Sequence, residues 1–231
     1  MKHRLKGFIV FIALMIPFSG CASYRAYYDI GLTEVERPAQ AKARYGEQKI
    51  TTTKEEGVEK YYFEDELLKI LWLPSSLNIS FALSNKTDHS IKIIWDEAAY
   101  VDSIGVSHRV MHSGVKYTDR NSPQPPTVVP RKGTINDLIF PSDYVDYVSG
   151  QYGGWREQPL FPSAMDQISN PNASEELLKA EAEKYLGKSV QVLLPLQIED
   201  TINEYIFTFT VNGVKTETIS PKPTKSPQSN P

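Results

Sequence analysis

Apolar and polar side chains alternate along much of the chain, and this period of two is typical of strands with one buried face. The clearest runs have apolar residues at Leu77, Ile79, Phe81 and Leu83 and then at Ile91, Ile93 and Trp95. A polar segment at 85–89 separates the two runs, so the pattern predicts that they pair as a hairpin. Further strands are predicted at 58–63, 67–73, 100–104, 107–111, 128–129 and 134–140.

The C-terminal third shows the same alternation at 190–198 and 205–211. Asn212-Gly213 follows, and this pair is typical of a type I′ turn, since both residues tolerate positive φ. The pattern therefore predicts three strands in meander order, the last at 214–219. One helix is predicted at 174–186, because Asn172 or Ser174 can cap its start and Gly187 can close its end. Helical spacing is found at Leu178, Ala182, Tyr185 and Leu186.

Many short strands with one helix predict a mainly β fold, an immunoglobulin-like β-sandwich with a short helix near 174–186. Residues 47–219 are assigned to one sandwich domain, because the C-terminal meander needs the first hairpins to cover its apolar face. The alternative is two domains split within 123–162, a segment that holds 7 of the 16 prolines. Residues 22–46 lack a sustained period and are interpreted as a tether. The proline-rich segment 220–231 is interpreted as a disordered tail.

The first twenty residues have the composition of a secretory signal. Three basic residues precede an apolar run at 7–18, which is shorter than the ~20 residues that a spanning helix needs. Phe18-Ser19-Gly20-Cys21 resembles the lipobox of bacterial lipoproteins. The resemblance implies that residues 1–20 are removed and that Cys21 becomes the mature N-terminus, carrying a diacylglyceryl group. An ordinary cleaved signal with an incidental cysteine and an uncleaved anchor are the alternatives.

The lipoprotein resemblance also implies a location. Acyl chains on Cys21 anchor the protein to a membrane, since each buried methylene adds ~0.8 kcal/mol. Ala22 stands where an aspartate retains such proteins in the inner membrane, so the resemblance implies the outer membrane, with the domain facing the periplasm. The strands predicted within 76–96 and 190–219 are similar to those of small immunoglobulin-like domains in envelope lipoproteins.

Charge narrows the range of partners. The chain has 25 basic and 28 acidic residues, and three of the basic ones lie in the first twenty. Removal of that segment leaves 22 basic against 28 acidic residues, a net charge of −6. Phosphate binding needs a basic surface, so nucleic acid is not expected as a partner.

Residue types that carry chemistry are present, but their spacing does not fit a known site. His108 and His112 are four apart, and on a strand this spacing separates two side chains by ~13 Å, too far for one metal ion. Asp96, Glu97 and Asp102 miss the spacing of an EF-hand loop. The sequence has no Gly-x-Ser-x-Gly motif, and its one cysteine is the residue to which the lipobox resemblance assigns the lipid. No catalytic residue, metal site or cofactor is predicted.

Aromatic residues are concentrated in one segment without helix or strand period. Six of them lie within 22 residues: Phe140, Tyr144, Tyr147, Tyr152, Trp155 and Phe161. Such residues either plug one end of the sandwich or form an exposed contact surface. Tyr144, Tyr147, Tyr152 and Trp155 are the candidate partner contacts in the second case.

The function expected from these features is that of a non-catalytic, membrane-anchored lipoprotein, a scaffold or accessory subunit that binds an envelope protein. A glycan- or peptidoglycan-binding module is the alternative, because aromatic loops can stack on sugar rings. An envelope hydrolase is less favoured, since no acid–base pair or nucleophile is recognisable.

Overall fold

The computed structural model describes residues 22–38, 41–55, 57–167 and 169–219, and the fold is mainly β. The strands are β1 Ser23–Glu36, β2 Lys49–Glu55, β3 Val58–Glu64, β4 Leu68–Pro74, β5 Ile79–Asn85, β6 Ile91–Ile93, β7 Ala99–Val101, β8 Ser107–Met111, β9 Thr127–Val129, β10 Thr134–Pro141, β11 Val145–Val148, β12 Gly154–Glu157, β13 Ala164–Asp166, β14 Ser189–Ile198 and β15 Thr201–Ile219. The α-helices are α1 Ala41–Tyr45 and α2 Glu175–Glu183, and 3-10 turns lie at Trp95–Glu97, Tyr117–Asp119 and Ser142–Tyr144.

Thirteen of these strands belong to one antiparallel sheet that curls into two packed layers. Strands β13, β1, β15, β14, β7 and β8 follow one another in the first layer, and β10, β5, β4, β3 and β2 in the second. The two layers are joined where Phe140 and Pro141 of β10 pair with Met111 and Val110 of β8. Strands β6 and β9 extend the first layer beside β14. The predicted fold class, a mainly β sandwich with one short helix, is confirmed.

Aromatic side chains hold the two layers together. Trp72 of β4 packs against two rings of β15, with ring centroids 4.7 Å from Phe207 and 5.3 Å from Phe209. Phe63 of β3 meets Phe207 edge-on at 5.5 Å. All four side chains are fully buried. Each ring buries a large apolar area, so these contacts are the centre of the core.

The predicted hairpin around 85–89 is wrong. Strand β5 pairs with β4 and β10, whereas β6 pairs with β14 and β9. The polar turn therefore carries the chain from one layer to the other, and both apolar runs face the core from opposite sides. Buried Asn85 fixes this crossover, since its Nδ2 donates to the carbonyls of His89 at 2.7 Å and Pro130 at 3.0 Å.

The predicted turn at Asn212-Gly213 is also wrong. Strand β15 continues through Asn212-Gly213 to Ile219 and pairs with β1 both before and after these two residues. The register shifts there, with Asp29 opposite Gly213 but Ile30 opposite Val211, so Asn212 forms a β-bulge. Asn and Gly tolerate unusual backbone angles, and here they accommodate a β-bulge rather than a reversal of the chain.

The predicted tether at 22–46 is wrong as well, because most of it is folded. Strand β1 pairs with β15 from Ser23, opposite Ile219, to Glu36, opposite Ile206. Its buried residues are Ala26, Ile30, Gly31, Leu32 and Val35. Two register shifts, at Asp29/Ile30 and Leu32/Glu34, break the period of two. The alternation is therefore invisible in the sequence although the strand is long.

A buried polar network fixes the chain after β1. Arg37 lies 3.6 Å from the carboxylate of Asp65, and both side chains are almost fully buried. Asp65 also accepts hydrogen bonds from the Tyr205 hydroxyl at 3.0 Å and from the amides of Leu67 and Leu68. Burial raises the pKa of the Asp65 carboxyl, although these donors oppose the shift.

Helix α2 confirms the helix predicted at 174–186. The hydroxyl of Ser174 accepts a hydrogen bond from the amide of Leu177 at 3.1 Å, as an N-cap should. Leu178 and Ala182 are buried and pack with Ala26 of β1. The helix therefore covers the end of the β1–β15 pair. The predicted signal at 1–20, Cys21 and the predicted tail at 220–231 lie outside the described residues.

A pair of substitutions in β1 tests whether this segment is part of the core. Leu32 is 6% exposed, so we expect Leu32→Ala to lower the unfolding free energy by about 2–4 kcal/mol. Glu34→Ala, on the exposed side of the same strand, should change it by less than about 0.5 kcal/mol. Urea denaturation monitored by tryptophan fluorescence measures both. Equal, negligible effects would restore the tether interpretation.

Candidate functional site

The segment predicted to contact a partner folds into a hairpin that stands apart from the main sheet. Within the described residues, its strands β11 and β12 pair only with each other. The pattern of the sequence indicates no strand here, so this hairpin is a finding of the structure. The candidate residues are distributed over it, with Tyr144 just before β11, Tyr147 on β11, Tyr152 in the connecting turn and Trp155 on β12.

Tyr147 and Trp155 face each other across the hairpin. Their ring centroids are 5.3 Å apart, and the rings meet edge-on with an angle of 65° between their planes. Tyr117 packs against the same indole at 5.9 Å, and the guanidinium carbon of Arg120 lies 5.0 Å from the indole centroid. The Tyr117 hydroxyl donates a hydrogen bond to the Glu157 carboxylate. One face of the hairpin is therefore attached to the 117–120 segment through an aromatic cluster, whose cation–π contact contributes about 0.5–1 kcal/mol.

The rest of the hairpin surface is open and carries four exposed apolar side chains among polar ones such as Asp146 and Gln151. The exposed fraction is 83% for Tyr152, 63% for Tyr147, 44% for Val148 and 37% for Trp155. Tyr144 is half-buried. A two-stranded hairpin is only marginally stable by itself. Its exposed apolar side chains do not contribute to the core of the sandwich. This exposure makes the hairpin the candidate interaction surface of the molecule.

The remaining two aromatic residues of the segment belong to the interior. Phe140 is 5% exposed and packs with Met111 and Val145. Phe161 is 1% exposed, with its ring 5.2 Å from Tyr28 and 5.3 Å from Tyr185. The six aromatics thus divide between both interpretations: the ends of the segment fill the sandwich, and its middle is exposed.

Glycines shape the tip of the hairpin. Gly150 has φ +116° and Gly154 has φ +140°, which side chains other than hydrogen rarely tolerate. At Gly153 a Cβ atom would lie 2.3 Å from the carbonyl oxygen of Val148. The amide of Gly153 donates to the Gly150 carbonyl at 2.9 Å and closes the turn. The glycines therefore impose one tight turn, and Tyr152 is presented at its apex.

The base of the hairpin is fixed from two directions. Val145 is 1% exposed in the small core cluster with Phe140. On the other strand, the backbone amide of Gln158 donates to the carbonyl of Tyr144 at 2.7 Å, and its side-chain amide donates to the carboxylate of Asp146. The hairpin therefore leaves the sandwich in a defined direction rather than as a loose loop.

His108 connects the base of the hairpin to the main sheet. Its Nδ1 lies 2.7 Å from Asp143, next to Tyr144, and its Nε2 lies 3.4 Å from Asp102. The imidazole also packs against Tyr144, with ring centroids 5.2 Å apart. Burial disfavours the charged imidazolium, but the carboxylates of Asp143 and Asp102 outweigh it and raise the pKa of His108.

This raised pKa predicts a pH dependence. Since the unfolded value is about 6.5, His108 contributes stability that is complete below about pH 6.5 and is lost as the pH rises through the folded pKa. The unfolding free energy of wild type should therefore exceed that of His108→Gln most at about pH 6, and the difference should shrink towards about pH 8. Denaturant titrations at several pH values measure it. Parallel pH profiles for the two proteins would contradict the assigned ion pairs.

The two histidines considered as metal ligands do not meet. His112 contacts its own carboxylate, Asp137, with Nδ1 3.2 Å from Oδ2, and its ring stacks on Trp95 at 4.2 Å. Asp96 accepts a hydrogen bond from Arg109 at 2.5 Å, and Asp102 accepts the amides of Ile104 and Val106 within its own turn. Among the described residues, no group of three or more His, Cys, Asp or Glu side chains is arranged to hold a metal ion.

A groove of about 530 Å³ lies elsewhere, beside the bulge of β15. Charged side chains of both signs line it, among them Asp29, Lys54, Glu59 and Lys215. The hydroxyl of Tyr61 is directed at two of these acids, at 2.8 Å from Glu59 and 3.4 Å from Asp29. Lys54 also lies 4.0 Å from Glu59, so several polar groups of this groove are already paired with each other, and the hairpin remains the stronger candidate.

Two further findings complete the description. No helix in the described part of the chain is long and apolar enough to cross a bilayer. Comparison with protein-family models, with curated proteins and with solved structures found no match for this chain.

Proposed function

We propose that this protein is a non-catalytic, lipid-anchored lipoprotein of the bacterial envelope, and that the hairpin β11–β12 binds a protein partner. The observation that carries the proposal is the exposure of Tyr147 and Tyr152, at 63% and 83%, on a hairpin whose base is fixed. Tyrosine and tryptophan provide large contact areas with few rotatable bonds, so they lose little conformational entropy on binding.

The fixed geometry of the hairpin favours binding further. Arg120 and Tyr117 already hold the indole of Trp155, and this indole in turn supports Tyr147. A partner therefore meets a Tyr147 ring and a Trp155 indole that are ordered before contact, which lowers the entropic cost of binding at these two residues.

A protein is favoured over a glycan because of the orientation of the rings. Sugar rings stack on an open aromatic face. The guanidinium of Arg120 lies over the Trp155 indole, and Tyr147 meets the same indole edge-on, at 65°. The tryptophan is thus unsuited as a stacking platform, and Tyr152 stands alone at the tip. An edge-on aromatic surface beside Val148 fits apolar side chains of a protein better.

The membrane anchor is supported by the lipobox resemblance of Phe18-Ser19-Gly20-Cys21 and by the small residue Ala22 after it. Acylation at this position attaches the domain to the membrane from its first strand. The same resemblance supports the outer membrane, facing the periplasm, as the location.

The anchor is tested by mass spectrometry of the protein extracted from membranes. We expect a mature chain that begins at Cys21 and carries acyl groups, and we expect Cys21→Ser to appear in the soluble fraction. Cys21→Ser should keep the wild-type melting temperature, since the substitution precedes the first strand, which begins at Ser23. An unmodified cysteine, or a mature start elsewhere, would contradict the proposed anchor.

The partner surface is tested by pull-down from detergent-solubilised membranes. Tyr147→Ser and Tyr152→Ser should each weaken partner capture by about 2 kcal/mol, or ~30-fold in affinity, if they are hot spots. Tyr27→Ser is the matched control, because Tyr27 is also exposed, at 46%, but lies on β1 away from the hairpin. Melting temperatures should be unchanged in all three variants.

The outcomes separate the candidate functions. Loss of one stoichiometric protein partner in the hairpin variants alone supports the proposal. Retention on purified peptidoglycan that is lost in the same variants would support a glycan-binding module instead. Partner capture that is unaffected by both hairpin variants would show that the contact surface lies elsewhere.

A further inference from the structure

The point at which the chain enters the domain is fixed by hydrogen bonds. The amide of Ala22 donates to Oε1 of Gln167 at 3.2 Å, and the amide of Gln167 donates to the carbonyl of Ala22, also at 3.2 Å. The Nε2 group of Gln167 donates in turn to the carbonyl of Ala173 and to the Tyr24 hydroxyl, both at 3.3 Å. Ala22 is therefore joined to the loop before α2 rather than free in solvent.

The next residue already belongs to the sheet. Ser23 lies opposite Asp166 of β13 on one side and opposite Ile219 of β15 on the other. Two consecutive peptide units span at most ~7 Å between α-carbons. Only Ala22 separates Cys21 from Ser23 in the sequence, so no stretch of chain is left for a flexible tether between the proposed lipid site and the sheet.

We propose that the lipid on Cys21 holds this end of the sandwich directly against the membrane surface, with no spacer between them. The inference rests on the proposed lipid anchor and adds the orientation of the domain. The membrane-facing end comprises Ala22, Gln167, the loop before α2 and the end of β15 at Ile219. The partner of this surface is the lipid headgroup layer.

The opposite end of the domain is far from this surface. The 14 residues of β1 span ~43 Å at 3.3 Å per residue. Arg37, just after β1, contacts Asp65, whose carbonyl accepts a hydrogen bond from Lys86 at 2.5 Å. The crossover turn after β5, which contains Asp88, therefore lies at the far end of the sandwich.

Among the described residues of the membrane-facing end, positive charge that could attract anionic lipids is sparse, and Arg25 of β1 lies opposite Glu217 of β15. The segment 163–178 contains no lysine or arginine. Glu175 accepts hydrogen bonds from Thr216 at 3.2 Å and from Thr218 at 2.7 Å. The contact therefore depends on the covalent anchor, and the proximity should be the same on zwitterionic and on anionic vesicles.

Fluorescence quenching by headgroup spin-labelled lipid tests this orientation. The chain has one cysteine, Cys21, so an added cysteine is the only free thiol once Cys21 is acylated. Asn172→Cys places a fluorophore at the membrane-facing end, and Asp88→Cys places it at the far end; both side chains are exposed. The full-length lipidated protein is reconstituted into phosphatidylethanolamine–phosphatidylglycerol vesicles and into phosphatidylcholine vesicles. We expect quenching at Asn172→Cys to be at least several-fold stronger than at Asp88→Cys in both.

A linker provides the matched control. Insertion of 20 Gly/Ser residues between Ala22 and Ser23 adds a mean reach of ~25 Å. It should abolish the difference between the two labels while membrane attachment and melting temperature stay unchanged.

The failures are distinguishable. Equal quenching of the two labels on protein that floats with the vesicles would overturn the direct contact but leave the anchor intact. Quenching at Asn172→Cys that requires anionic lipid would overturn the anchor-dependent contact. Protein that does not float, with a free thiol at Cys21, would overturn the proposed anchor itself.

Discussion

The pairing of β1 with β15 is the constraint on which the rest of the structure depends. Strand β15 runs from Thr201 to Ile219, and β14 covers one edge of its first half only. Without β1, the other edge would expose a long row of unpaired amides and carbonyls, which is an aggregation hazard. Strand β1 covers that edge, adds Ile30, Leu32 and Val35 to the core, and gives α2 a surface to pack on.

The core explains why the two layers close on each other in one arrangement. Phe207 and Phe209 alternate with threonines along β15 and meet Phe63 and Trp72 from the other layer. At the far end of the sandwich, the buried carboxylate of Asp65 is held by several donors, among them the guanidinium of Arg37 and the Tyr205 hydroxyl. A buried charge is tolerated only with such partners, so this network also determines where the chain after β1 can lie.

Strict local periodicity made some of this fold predictable from the sequence. Strands β3, β4, β5 and β14 and helix α2 were predictable because each has one buried face and a regular register. Strand β1 was not predictable from the sequence, since its two register shifts interrupt the alternation of buried and exposed positions. The crossover at Asn85 resembles a hairpin turn until its partners in other strands are known. In the candidate site, the aromatic residues were identifiable by their concentration, but the hairpin was not. Tyr147 and Trp155 are partly exposed, so no buried face marks its strands.

Long-range contacts also fix the position of the candidate site. Aromatic side chains on a mobile loop would lose entropy on binding, whereas Val145 and the Arg120–Trp155 contact keep this hairpin in place. Ala22 is hydrogen-bonded to Gln167 in a comparable way just before β1. A lipid-anchored domain on a long tether samples many heights and orientations. Only a fraction of these is competent to bind a partner. In the proposed arrangement, a domain held at its first strand would present the hairpin at one height above the bilayer. Such an arrangement favours a partner that is itself fixed in or on the membrane, because both then meet within a thin layer at a high effective concentration.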